Sequence, residues 1–247
     1  MDERYGARGE YAMTENQRAI LKGLAELYPD AGPELHFTNP YETLVATILA
    51  AQCTDARVNM VTPALFRDYP DPAAMAKAEP EEIYPYVKSC GFKSKSVNIV
   101  NACRMIVEEY GGKVPDTLAG LTRLPGVGRK TANVVLAFSF GQPAIPVDTH
   151  VFRVANRLGL SDALTVEETE EQLRTLIPRE DWSQAHHWLI YHGRRVCHSQ
   201  KPDCAGCALR PWCKAAHQEH MINPKADARE KARQRKAEKA ELIAQNQ

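Results

Sequence analysis

Apolar residues recur along this chain every three or four positions, the spacing that lines one face of an α-helix. Ile20, Leu21, Leu24 and Leu27 follow Thr14, a residue type that caps helix N-termini. Leu44, Val45, Ile48 and Leu49 follow Asn39-Pro40-Tyr41-Glu42, which predicts a cap, a first-turn proline and a reciprocal glutamate. Asp71-Pro72 and Glu79-Pro80 predict two more helix starts. Val97, Val100, Cys103, Ile106 and Val107 form another stripe, stopped by Gly111-Gly112. Thr165-Val166-Glu167-Glu168 spells a capping box. No strand pair is legible, and only Ala144 to Val147 suggests a short extended run. The expected fold class is all-α. Past Met221 the periodicity stops. Lys225 to Gln247 is rich in Ala, Glu, Lys, Arg and Gln without a steady apolar face, and reads as a solvated appendage.

At 247 residues and 44% hydrophobic, the chain can bury one large core or two modest ones. A charged fraction of 25% excludes wholesale disorder. Thirty-one basic residues balance thirty-one acidic ones, so contact with a polyanion needs a basic face assembled locally. No segment has the roughly 18–20 apolar residues of a membrane span. Met1 to Met13 is polar and lacks a signal-peptide core, so the expectation is a cytoplasmic protein with no membrane partner. Four of the seven cysteines lie between Cys197 and Cys213, which in a reducing compartment points to metal rather than disulfides.

The most informative stretch is Leu121-Thr122-Arg123-Leu124-Pro125-Gly126-Val127-Gly128-Arg129-Lys130-Thr131-Ala132. Leu-Pro ends one short helix, Gly126 and Gly128 bracket a tight turn, and a second helix starts at Arg129 or Lys130. Glycine permits positive φ and close approach of a ligand to the backbone. N–H groups at a helix start carry partial positive charge that suits a phosphate oxygen, and Arg129 and Lys130 add formal charge. A bare Gly-x-Gly would be an ordinary packing corner. The full segment resembles the helix-hairpin-helix motif, which holds the DNA backbone without reading sequence.

Eighteen residues past Lys130 comes Pro146-Val147-Asp148-Thr149-His150-Val151. On the residues alone, Lys130 could be a phosphate contact and Asp148 the N-cap of a helix carrying Val151, Val154, Ala155 and Leu158. His150 reads as structural. Together, Leu124 through Leu158 resemble the signature of the endonuclease III family: the hairpin, Lys-Thr-Ala-Asn-Val-Val, then Val-Asp-Thr-His and Phe-Arg-Val. The resemblance spans about residues 14–216. It implies that Lys130 is the nucleophile and Asp148 the catalytic carboxylate of a DNA glycosylase with an attached lyase activity. The chemistry is consistent. Positive charge builds at the sugar C1′ as the base leaves, and a carboxylate stabilises it. A neutral lysine amine can then form an imine at C1′. A helix N-terminus and the adjacent Arg129 both disfavour the ammonium form.

Ala51-Gln52-Cys53-Thr54-Asp55 resembles the family segment whose glutamine fills the gap left by an extruded nucleotide. Gln52 is thus a candidate plug and Asp55 a candidate pocket wall; a surface glutamine and a helix cap are the plainer readings. In Gly91-Phe92-Lys93-Ser94-Lys95, a loop about one residue shorter than the family pattern, Phe92 is the candidate wedge or else a core residue.

Cys197, Cys204, Cys207 and Cys213 follow C-x6-C-x2-C-x5-C. Four thiolates suit tetrahedral zinc or a [4Fe–4S] cluster, but the paired knuckles common in zinc sites are missing. The spacing is that of the endonuclease III cluster loop, which implies [4Fe–4S]. Lys201, Arg210 and Lys214 in or beside the loop could grip a second phosphate. Cys53, Cys90 and Cys103 read as buried hydrophobes.

The resemblance implies two helical lobes. One, with the hairpin, covers 33–142. The other, with the cluster, combines 1–32 with 143–216, and a charged tail occupies 217–247. The expected partner is double-stranded DNA with a damaged base or abasic site, bound by a monomer and repaired by removal of a damaged, oxidised pyrimidine and β-elimination. Two alternatives are a monofunctional adenine-type mismatch glycosylase, which lacks the lysine at position 130, and a non-catalytic DNA-binding module.

Overall fold

The computed structural model describes residues 13–218, so the expected tail lies almost wholly outside the described residues. Of these, 32–146 form one compact unit, and 13–31 with 147–218 form another. No strand occurs among the described residues, and the Ala144 to Val147 run has no regular secondary structure. No described helix is long and apolar enough to cross a membrane.

Helix α1 (Glu15–Leu27) opens the split unit with Ile20, Leu21 and Leu24 buried. Its capping box is complete: Thr14 Oγ1 accepts from Gln17 N–H at 3.2 Å, and Gln17 Oε1 accepts from Thr14 N–H at 2.9 Å. Leu27 is 43% exposed and lies off the stripe.

The contiguous unit contains α2 (Pro40–Ala50), α3 (Asp55–Asp68), α4 (Pro72–Lys77), α5 (Pro80–Val87), α6 (Ser94–Tyr110), α7 (Leu118–Arg123) and α8 (Arg129–Ser139). Helix α2 is buried at Tyr41 and from Thr43 through Leu49, because α3, α6 and α8 all pack on it. Asn39 caps it as expected, but the Glu42 carboxylate accepts from Thr38 N–H and Oγ1 at 2.7 and 2.8 Å rather than from the cap residue itself. In α6 the stripe is rotated from the expected one. Ile99, Val100, Ala102, Cys103 and Ile106 are buried, while Val97 and Val107 are 36% and 38% exposed. Gly111 ends this helix in the left-handed region. Ala144 belongs to the core of this unit, which therefore runs past the expected boundary at 142.

The split unit continues with α9 (Thr149–Leu158), α10 (Val166–Leu176) and α11 (Trp182–Arg195), followed by 3-10 turns at Arg210–Trp212 and Lys214–His217. Helix α11 packs on both α1 and α9, so the two ends of the sequence share one core.

Candidate functional site

The hairpin is built as its sequence requires. Helix α7 stops at Arg123, and the turn closes with Leu124 N–H to Leu121 O at 3.1 Å and Val127 N–H to Leu124 O at 3.1 Å. Leu124 and Val127 are buried and anchor the corner. Of its two glycines only Gly126, at φ +78°, uses the left-handed region. A Cβ there would lie 2.8 Å from the Asn98 side chain. Gly128 has an ordinary φ of −87°, and a Cβ on it would meet open space. It is the N-cap of α8 and supplies no side-chain acceptor, unlike Thr14, Asn39, Thr54, Asp71, Thr117, Asp148 and Thr165 at other helix starts. Arg129 and Lys130 follow in the first turn with exposed side chains.

Asp148 caps α9. One carboxylate oxygen accepts from His150 N–H at 2.8 Å and Val151 N–H at 2.9 Å, while the residue stays half-exposed. Two backbone bonds fix the carboxylate rigidly on the helix that the buried Val151, Val154, Ala155 and Leu158 lock into the core. His150 Nδ1 lies 3.2 Å from an Arg153 guanidinium nitrogen. Burial holds this imidazole below the usual histidine range, although the Asp148 charge pulls the other way. A cleft of about 610 Å³ opens beside it, lined by Arg153, Arg157, Arg194 and His198 among others.

Gln52 follows the C-terminal end of α2, exposed, with φ 57°. Thr54 rather than Asp55 caps α3; Asp55 is the first helical residue and is half-exposed. Phe92 is 69% exposed, so it is not a core residue. Cys90 and Cys103 are buried, but Cys53 is only half-buried because it lies in the exposed turn beside Gln52.

The sequence reading passed over Lys95. It is 7% exposed, and its ammonium donates to Leu49 O, Ala51 O and Cys90 O at 2.7, 2.6 and 2.6 Å. Burial pushes it below the usual lysine range. The available signal was its register: Lys95, Ile99, Cys103 and Ile106 share the buried face of α6.

The cysteine loop begins as α11 ends. All four thiols are half-buried, and Cys207 and Cys213 each interact electrostatically with Cys197 and Cys204. Arg157, buried on α9, donates to His198 O at 2.6 Å, Ser199 O at 3.1 Å and the Cys197 sulfur at 3.6 Å. Arg153 donates to Cys197 O at 3.0 Å. His192 bridges Tyr28 Oη at 3.0 Å and the Cys207 sulfur at 3.8 Å. Arg153 and Arg157 lie one helical turn apart on α9, facing the loop, and the sequence reading did not single them out as its braces. Lys201 is exposed with φ 48°, Arg210 is exposed, and Lys214 pairs with Asp162 at 3.3 Å. Among the described residues, no three His, Cys, Asp or Glu side chains converge tightly enough for one metal ion. Four cysteines in one loop, with Arg157 and His192 nitrogens beside the Cys197 and Cys207 sulfurs, are a donor set whose chemistry fits a thiolate-held cluster.

The family model for HhH-GPD superfamily base excision DNA repair proteins matches residues 45–179. Endonuclease III of Synechocystis sp. is 50% identical over 207 residues, covering 82% of this chain and 94% of that protein. Endonuclease III of Escherichia coli K12 is 45% identical over 195 residues, covering 78% and 92%. A solved structure of a trapped endonuclease III–DNA covalent intermediate superposes with a TM-score of 0.77 at 45% identity, covering 82% of this chain and 97% of that one. A thermostable thymine-DNA glycosylase, at 23% identity and a TM-score of 0.73, shares the fold. The chain therefore belongs to the HhH-GPD superfamily and, within it, to the endonuclease III family.

Proposed function

We propose that this protein is a bifunctional base-excision repair enzyme that binds double-stranded DNA, removes a damaged pyrimidine and cleaves the resulting abasic site. The observation that carries the reading is Lys130. It stands exposed in the first turn of α8, directly after a glycine corner open to a backbone phosphate. Family membership supports the same assignment. An adenine-type glycosylase would have no lysine there, and a passive binder would need no amine at that position.

The Asp148 carboxylate stabilises positive charge at C1′ as the N-glycosidic bond breaks and the base departs with the bonding electrons. The neutral Lys130 amine bonds to C1′ and gives up one proton; the C1′–O4′ bond then breaks with its electron pair leaving on O4′, which takes up a proton as a hydroxyl, and a protonated imine (an iminium) remains. That iminium acidifies the C2′ proton. Its removal pushes electrons toward C3′ and breaks the bond to the 3′ phosphate. Gly126, Gly128 and Arg129 hold the backbone phosphate while this occurs. Gln52 fills the gap left by the extruded nucleotide, Phe92 wedges the stack, Asp55 borders the pocket, and Lys201 contacts a second phosphate.

Cys197, Cys204, Cys207 and Cys213 would hold a [4Fe–4S] cluster. When bound, it supplies covalent cross-linking that fixes the loop carrying Lys201.

The test is borohydride trapping on an abasic-site duplex. The natural protein should give a permanent protein–DNA adduct, and Lys130→Gln should abolish both trapping and strand cleavage while binding survives. Asp148→Asn should lower base release by roughly 100-fold or more. Undiminished trapping by Lys130→Gln would show that another group is the nucleophile.

A further inference from the structure

We infer that Lys95 is a positioning residue that locks the turn carrying Gln52 to the turn carrying Phe92, so that plug and wedge meet the duplex in fixed register. This deepens the functional reading above and rests on it.

The geometry is specific. An ammonium has three N–H donors. Here all three are used, on Leu49 O, Ala51 O and Cys90 O. Two acceptors are carbonyls at the C-terminal end of α2, where intrahelical partners run out and partial negative charge collects. The third belongs to Cys90, immediately before Gly91 and Phe92. One nitrogen thus ties two turns about forty residues apart in sequence.

Both turns depend on such a tie. Ala51 immediately precedes Gln52, a non-glycine residue at φ 57°. That conformation is disfavoured for a residue with a Cβ and persists only where the surroundings enforce it. The bond to Ala51 O fixes the peptide entering Gln52. On the other side Gly91 takes φ +115°, a backbone conformation that favours glycine, and it lies directly beside Lys95: a Cβ there would be in ordinary contact with the ammonium at 3.6 Å. Neither candidate intercalating side chain has packing of its own to hold it, since Gln52 and Phe92 are both exposed. Their mutual placement is therefore set by the backbone, and the backbone is set by Lys95.

Lys95→Met keeps the volume and removes the three donors. Strand cleavage would be measured on an abasic-site duplex and on the same strand without its complement. A fluorescent 2-aminopurine opposite the abasic site would report filling of the gap. The duplex rate should fall roughly 10- to 100-fold, as expected for a displacement of about 1 Å, with the 2-aminopurine response lost. The single-strand rate should stay within about threefold, because a strand without a partner has no gap to fill. If Lys95→Met folds poorly by circular dichroism, Lys95→Gln, which keeps a donor for one carbonyl, carries the same comparison. Equal slowing on both substrates, or a normal duplex rate with a normal fluorescence response, would overturn the proposal. A natural protein that cleaves neither substrate would remove the lyase reading, and this proposal with it.

Discussion

Gly126 and Gly128 stand two positions apart in one turn, yet they are glycines for different reasons. At Gly126 the requirement is internal: φ is +78° and Asn98 fills the space a methyl would need. Gly126→Ala should cost about 1–3 kcal/mol in a urea melt. At Gly128 the backbone is ordinary and the space is empty. Gly128→Ala should cost at most about 1 kcal/mol as a poorer N-cap, while duplex affinity falls clearly in a fluorescence-anisotropy titration. The sequence marks both residues equally, because a letter G does not say which obligation it meets. Asp148 shows a second ambiguity of that kind. The cap and the catalytic carboxylate are one group, so two variants are needed to separate them. Asp148→Ala should lose both activity and about 0.5–2 kcal/mol of stability. Asp148→Asn should lose activity while retaining more of the cap, and paired thermal melts would resolve the difference.

Helix starts were the most legible elements, because caps are local chemistry: Thr14, Asn39, Asp71 and Thr165 each accept from a backbone N–H in the first turn that follows. Which face of a helix is buried was less legible where neighbours crowd it. In α6, Val97 and Val107 look like stripe residues but are partly exposed, while charged Lys95 is buried because backbone carbonyls satisfy it. Helix α9 hides its role in the same way. Its Arg153 and Arg157 hold the backbone where the cysteine loop begins, a role that no cap or apolar stripe in the sequence marks. Arg157→Met should strand the carbonyls of His198 and Ser199 and cost about 2–4 kcal/mol. Iron and sulfide content after purification in air should fall with it. Cys204→Ser should lose the cluster and weaken DNA binding, since the loop bearing Lys201 is no longer cross-linked. Stoichiometric zinc without iron in the natural protein would exclude the cluster.

A molecule with thirty-one basic and thirty-one acidic residues has no net charge to draw it toward DNA. Affinity must come from a few placed groups, and the proposed phosphate contacts include only Arg129 and Lys201 as cations. Each phosphate neutralised contributes about −0.9 to the slope of log affinity against log salt, so the slope should be shallow, about −2. A slope near −8 would mean that a basic face elsewhere carries the binding. The fold class was legible because its signals lie close together in sequence. The division into two units came only from family resemblance, since α1 and α11, for example, carry no mark that they belong to one core. That arrangement also constrains biosynthesis. Helix α1 leaves the ribosome first, yet its packing partner α11 begins about 155 residues later, a wait of about 8–30 s at roughly 5–20 residues per second. Residues 32–146 can finish folding during that interval, whereas the nascent α1 must stay without its partner. The core that α1 and α11 share therefore waits on a helix made long after the first, and the cysteine loop, which follows α11 directly, can close only once that late helix has been synthesised.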